Sequence, residues 1–148
     1  MGTDRPGAGL RVRSTDLPLS GAVGTSPRAR DHTRAFLEDR DPPLAPTVVE
    51  DVLIASGELV ANALRHAPGP CVLRLTDDGM RLTVAVSDTS TEAPIPRHPD
   101  LSAGRGGFGW HLLLRIAEDV EIARDPRQGK TITVTLPVRT DNATGNRH

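Results

Sequence analysis

The sequence predicts an α/β protein of the α+β two-layer kind, with a mostly antiparallel mixed sheet and its helices packed on one face. Three observations carry this expectation. Two helical patterns come first, and two pairs of short strands follow, each pair joined by turn residues. Within the strands, apolar and polar residues alternate, which gives one dry and one wetter face and suits an antiparallel sheet covered on one side. The length of 148 residues fits one domain. That domain is expected over residues 10–140, between disordered tails at 1–9 and 141–148 that are too polar and too rich in Gly and Pro to bury themselves.

The first helix is expected to open at Ser26-Pro27, an N-cap followed by proline at the first helical position. Ala29, Thr33, Phe36 and Leu37 recur at helical spacing as far as Arg40, and Asp41-Pro42-Pro43 ends the run because the residue before proline avoids the α region. A second helix is expected from Pro46 to Ala67. Its apolar stripe is Val49, Val52, Leu53, Leu59, Val60, Ala63 and Leu64, and Pro68-Gly69-Pro70 closes it. The period then becomes two. Cys71, Leu73 and Leu75 alternate with Val72, Arg74 and Thr76, Asp77-Asp78-Gly79 turns the chain, and Leu82, Val84 and Val86 alternate on the way back, which reads as a hairpin.

Residues 89–103 contain Pro94, Pro96 and Pro99 and few apolar side chains, so they are expected to form a functional or disordered loop. Gly104, Gly106, Gly107 and Gly109 lead into a short helix expected from Trp110 to Ala117. A last strand pair is expected at Val120–Arg124 and Thr131–Val138, with a turn over 125–129.

Composition removes several functional classes. Eighteen Lys+Arg against nineteen Asp+Glu give a formal charge of −1, and no basic stripe offers itself to a phosphate backbone, so no nucleic-acid partner is expected. Two Phe, one Trp and no Tyr make a poor platform for stacked bases. Cys71, the single cysteine, excludes an internal disulfide framework and reads as a small buried hydrophobe. No apolar run approaches a membrane span, the start lacks a signal-peptide core, and Pro6 breaks the myristoylation pattern, so a cytoplasmic protein is expected. His98 and His111 lack the further ligands a zinc site needs, and there is no Gly-x-Ser-x-Gly elbow.

Four features could carry chemistry. Glu58 and Asn62 lie one turn apart on the second helix, about 40° from each other on the wheel and away from its apolar stripe. Arg65 and His66 extend that polar edge. A solvated helix face would explain a lone Glu/Asn pair, but a carboxylate and a carboxamide side by side could also serve a hydrated Mg²⁺ and a nucleophile. The second feature is Gly104-Arg105-Gly106-Gly107-Phe108-Gly109, which permits close backbone approach just before a helix N-terminus that can face an anion. Gly104, Gly106 and Gly109 also fit dinucleotide spacing, with Asp125 downstream. That fingerprint needs the glycines directly after a strand, and residues 89–103 intervene. Asp88 closes a strand and could accept a hydrogen bond from a purine amine or simply cap a turn. Gly129-Lys130-Thr131 enters the last strand.

In this order the four features resemble the GHKL (Bergerat) ATP-binding superfamily. The segment from Gly57 to Ala67 is similar to its N box, and in particular to that of the anti-sigma-factor serine/threonine kinases and their actinobacterial relatives. Asp88 falls at the adenine-reading aspartate, Gly104 to Trp110 at the glycine box behind the ATP lid, and Gly129-Lys130-Thr131-Ile132 at the last box. The run Asp88-Thr89-Ser90-Thr91-Glu92-Ala93-Pro94 departs from the superfamily's glycines, but has the Asp-x-Ser and proline arrangement of the actinobacterial branch. The aromatics Phe108 and Trp110 replace smaller residues, and Trp110 reads as packing.

The resemblance implies a single histidine-kinase-like ATPase domain with the Bergerat fold, using ATP and Mg²⁺. Asn62 would hold Mg²⁺ and Glu58 would be the catalytic base. Asp88 would bind the adenine amine with support from Thr131, and Arg65 and His66 would line the phosphate side. Gly104, Arg105, Gly106, Gly107, Phe108 and Gly109 would form the lid's fold over the nucleotide. The activity implied is phosphorylation of a small anti-sigma-factor antagonist, with a sigma factor as competing partner, control of transcription as outcome, and a homodimer as the family's common state. A non-catalytic ATP-binding protein that sequesters a partner is the rival reading. The ATPase half of a histidine kinase is a weaker expectation, because 148 residues read as too short to add dimerisation helices and a phosphoacceptor histidine.

Overall fold

The computed structural model describes residues 12–66, 69–89, 105–125 and 129–138, with the backbone alone for 105–109. In chain order the elements are β1 (Arg13–Leu19), α1 (Thr25–Glu38), α2 (Pro46–His66), β2 (Cys71–Asp77), β3 (Arg81–Asp88), α3 (Arg105–Ile116), β4 (Asp119–Asp125) and β5 (Gly129–Pro137). The sheet runs β1-β2-β3-β5-β4, and every neighbouring pair among these strands is antiparallel. The expected α+β sandwich is therefore present, and the described sheet is antiparallel throughout rather than mixed.

Strand alternation places the core on one face. Leu73 and Leu75 of β2, Leu82, Val84 and Val86 of β3, and Ile132, Val134 and Leu136 of β5 are buried with Val52, Leu59, Val60 and Ala63 of α2 and Leu113 of α3. Each such Val, Leu or Ile side chain contributes about 1.5–3 kcal/mol of hydrophobic stabilisation relative to exposure. The opposite face carries hydroxyls, with Thr76 opposite Thr83 and Thr83 opposite Thr135. Trp110 packs against the core, as expected.

β1 is the element the sequence concealed. Leu17 and Leu19 are its buried residues and Pro18 interrupts it, a composition that reads as loop. Proline is tolerated because β1 is an edge strand, where one side of the ladder needs no N–H.

The helices differ from expectation in two starting points and one buried face. α1 starts at Thr25, because Gly24, at φ 93°, makes the chain reversal, and the Thr25 hydroxyl donates to the Ala22 carbonyl at 2.6 Å. Ser26 and Pro27 then fall in the first turn, where proline costs no hydrogen bond. α2 matches its expected start, but its buried side is rotated toward Val48, Ala55, Ser56 and Asn62, leaving Val49, Leu53 and Leu64 half-buried. The reason is that α2 packs on both the sheet and α1. α3 begins at Arg105 rather than Trp110, so Gly106, Gly107 and Gly109 lie inside its first turns. Glycine costs a helix about 1 kcal/mol per residue relative to alanine, which is why propensity alone places a loop there.

A buried carboxylate ties β1, the segment just after α1 and the β2–β3 turn together. Asp77 accepts from Arg40 Nε at 2.8 Å, from Arg13 Nη2 at 3.2 Å and from the Gly79 amide at 2.9 Å. Burial acts to raise its pKa, but the Gly79 amide and the two guanidinium groups outweigh it and hold the carboxyl below the ordinary range. Among the described residues no helix is long and apolar enough to cross a membrane.

Candidate functional site

The site grows out of the sheet's own register. Leu82 with Leu136, Val84 with Val134 and Val86 with Ile132 form a column of buried pairs across β3 and β5. The next pair in phase is Asp88 with Lys130. Both are buried, at 5% and 1% exposure, so the aliphatic column ends in an ion pair with Lys130 Nζ 3.5 Å from Asp88 Oδ2. Charges this deeply buried are rare unless paired.

Gly129 makes the juxtaposition possible. Its φ of 119° lies where side chains are strained, and a Cβ there would run into the backbone carbonyl oxygen of Asp88. The close backbone approach brings the start of β5 alongside the end of β3.

α2 completes the cluster from above. Asn62, 9% exposed, receives a hydrogen bond on Oδ1 from Lys130 Nζ at 3.4 Å. Glu58 lies one turn earlier and is half-buried, while Arg65 and His66 at the helix end are exposed. Asn62 and His66 share a face with Glu58 at steps of one turn. Nearby, burial raises the pKa of the Cys71 thiol, and the Asp88 carboxylate adds to that effect. This fits the expected small buried hydrophobe.

Three expected site residues are thus placed together or adjacent: Asn62, Asp88 and, one turn away, Glu58. Thr131 is not with them. It alternates to the outer face of the sheet, where its hydroxyl lies 2.8 Å from that of Ser87. The physical reason is the period of two: a residue next to Lys130 must point to the other side. Arg105, Gly106, Gly107, Phe108 and Gly109 form the N-terminal turns of α3, which packs against α2. Gly104 and the loop 90–103 lie outside the described residues. His111 is exposed on α3.

The residue that motif reading passed over is Lys130. A signal for it existed, since Lys130 is in phase with Ile132, Val134 and Leu136 just as Asp88 is in phase with Val86, Val84 and Leu82. A charge at a core phase on two neighbouring strands marks a buried pair.

The donor set fits a purine nucleotide with Mg²⁺. A carboxylate at a sheet end, fixed by an ammonium group, is an acceptor suited to a purine amine. Asn62 supplies one hard oxygen, with the Glu58 carboxylate one helical turn earlier. Among the described residues no group of three His, Cys, Asp or Glu could hold a metal. Mg²⁺ commonly takes one or two protein oxygens, with waters and phosphate oxygens supplying the rest.

Comparison with known proteins bears on the family and the fold. The family described as the histidine kinase-like ATPase domain matches residues 21–136. The chain belongs to that family, and its fold is the GHKL ATP-binding fold. It is also similar to the crystal structure of the RsbU and RsbW domains of Rv1364c from Mycobacterium tuberculosis, with a TM-score of 0.60 and 16% identity. That match covers 86% of this chain and 34% of the other, so the chain spans about a third of its neighbour's length. At this identity the likeness is one of fold. No curated protein matches the sequence.

Proposed function

We propose that the protein is an ATP- and Mg²⁺-dependent serine/threonine kinase of the anti-sigma-factor type. The observation that carries the reading is the cluster of Asn62, Lys130 and Asp88 with Glu58 one turn away. The sequence resemblance of its N box to anti-sigma-factor kinases and the fold shared with a structure that contains an RsbW domain support it.

In this reading Asp88 accepts a hydrogen bond from the exocyclic amine of adenine, and Asn62 would hold Mg²⁺. The chemistry that Mg²⁺ would supply there is neutralisation of phosphate charge. Glu58 accepts the proton of a serine or threonine hydroxyl as its oxygen bonds to the γ-phosphorus and the bond to the β-phosphate oxygen breaks, releasing ADP. Arg65, His66 and the α3 N-terminus serve the phosphates. The acceptor is a small antagonist protein, and the phosphate's added negative charge ends its hold on the kinase, which is then available to a sigma factor.

Incubating the pure protein with labelled ATP and its cognate antagonist tests this. Transfer to a serine or threonine is expected, with Glu58→Ala abolishing transfer while keeping nucleotide affinity. Bound ATP without transfer would leave a nucleotide-gated binding protein instead.

A further inference from the structure

Lys130 has no assigned part in the reading above, yet it touches both ends of the site. Its side chain is fully buried, and its ammonium lies 3.5 Å from Asp88 Oδ2 and 3.4 Å from Asn62 Oδ1. One cation therefore spans the carboxylate assigned to the purine and the carboxamide oxygen assigned to the metal. The first contact is attractive and fixes the carboxylate's orientation. The second places a positive charge on the very oxygen that would carry a divalent ion, and two cations on one oxygen repel in a poorly solvated site.

We propose that Lys130 is a positioning residue that couples the two ends of the site with opposite signs: it strengthens purine binding through Asp88 and weakens Mg²⁺ at Asn62. Metal then enters chiefly with the phosphates that offset the ammonium charge, rather than alone. The inference rests on the purine and metal assignments proposed above, but not on phosphotransfer.

The test is calorimetric titration of wild type and Lys130→Met with adenosine, with ADP in EDTA, and with ADP in excess MgCl₂, while circular dichroism monitors folding. Adenosine affinity is expected to fall at least tenfold in Lys130→Met. The factor by which Mg²⁺ tightens ADP is expected to rise at least threefold. A purely structural lysine would lower both quantities together, and that result, or no change in either, overturns the proposal. Should Lys130→Met not fold, Asn62→Ala serves. Adenosine has no phosphate and needs no metal, so its affinity falls, by an expected threefold or more, if Asn62 acts on Asp88 through Lys130. Unchanged adenosine affinity in a folded Asn62→Ala overturns the coupling. Failure of wild type to bind adenosine or ADP would remove the purine reading itself, and the inference with it. Normal wild-type binding with unaffected variants removes the inference alone.

Discussion

Asp88 and Lys130 face each other as the last pair of an otherwise aliphatic column, with their charged atoms 3.5 Å apart at the end of β3 and the start of β5. A buried ion pair is a poor source of stability, because desolvation offsets most of its attraction. A leucine–valine pair in the same place would continue the core at least as well. In the function proposed above, the pair fixes an acceptor where α2 brings Asn62 onto the same ammonium. Sheet register, a glycine and one helix turn thus assemble a polar site from residues far apart in the chain.

The backbone approach at Gly129 gives the first prediction. Gly129→Ala places a Cβ against the Asp88 carbonyl at a φ of 119°. The strained dihedral alone costs about 1–3 kcal/mol, and the clash adds to it. Urea denaturation is expected to show at least that loss, with weakened nucleotide binding in the molecules that remain folded. Stability equal to wild type would mean that β3 and β5 do not meet as described.

Acid stability should depend on Asp77. Its carboxyl is held below the ordinary value of about 3.9, so its contribution is fully present above that value. The contribution is lost as pH falls through the lowered native pKa, since the unfolded chain then binds the proton first. Asp77→Asn is expected to cost about 1.5–3 kcal/mol at neutral pH, the worth of hydrogen bonds to a charged group. Urea midpoints measured from pH 2 to 7 should fall less steeply on the acid side for the variant. Parallel curves would contradict the assignment.

Leu59 separates core from surface. It is buried on the core side of α2, beside Glu58 in sequence, and Leu59→Ala is expected to cost about 2–5 kcal/mol in thermal or urea unfolding. Val23, fully exposed before α1, provides the contrast, and Val23→Ala is expected to stay within about 0.5 kcal/mol of wild type. Equal effects at the two positions would refute the described packing.

Most of the architecture was legible because its signals are local. The hairpin from Cys71 to Asp88 and the start of α2 at Pro46 follow from alternation, turn residues and proline. β1 was not, since a short edge strand with Pro18 draws its pairing from β2 rather than from its own pattern. The N-terminal turns of α3 were hidden by glycines whose intrinsic preference is for loop. In the site, Glu58, Asn62 and Asp88 stand out by residue type and spacing. Lys130 required the phase of two strands to be read jointly, and the outward turn of Thr131 follows from that same phase.

The most direct measurement is calorimetric titration of MgATP into wild type and Asp88→Asn, with folding checked by circular dichroism. If Asp88 reads the purine, the variant loses about ten- to a hundredfold in affinity, the equivalent of about 1.5–3 kcal/mol for a hydrogen bond to a charged group. Equal affinity for the two proteins would show that the nucleotide lies elsewhere.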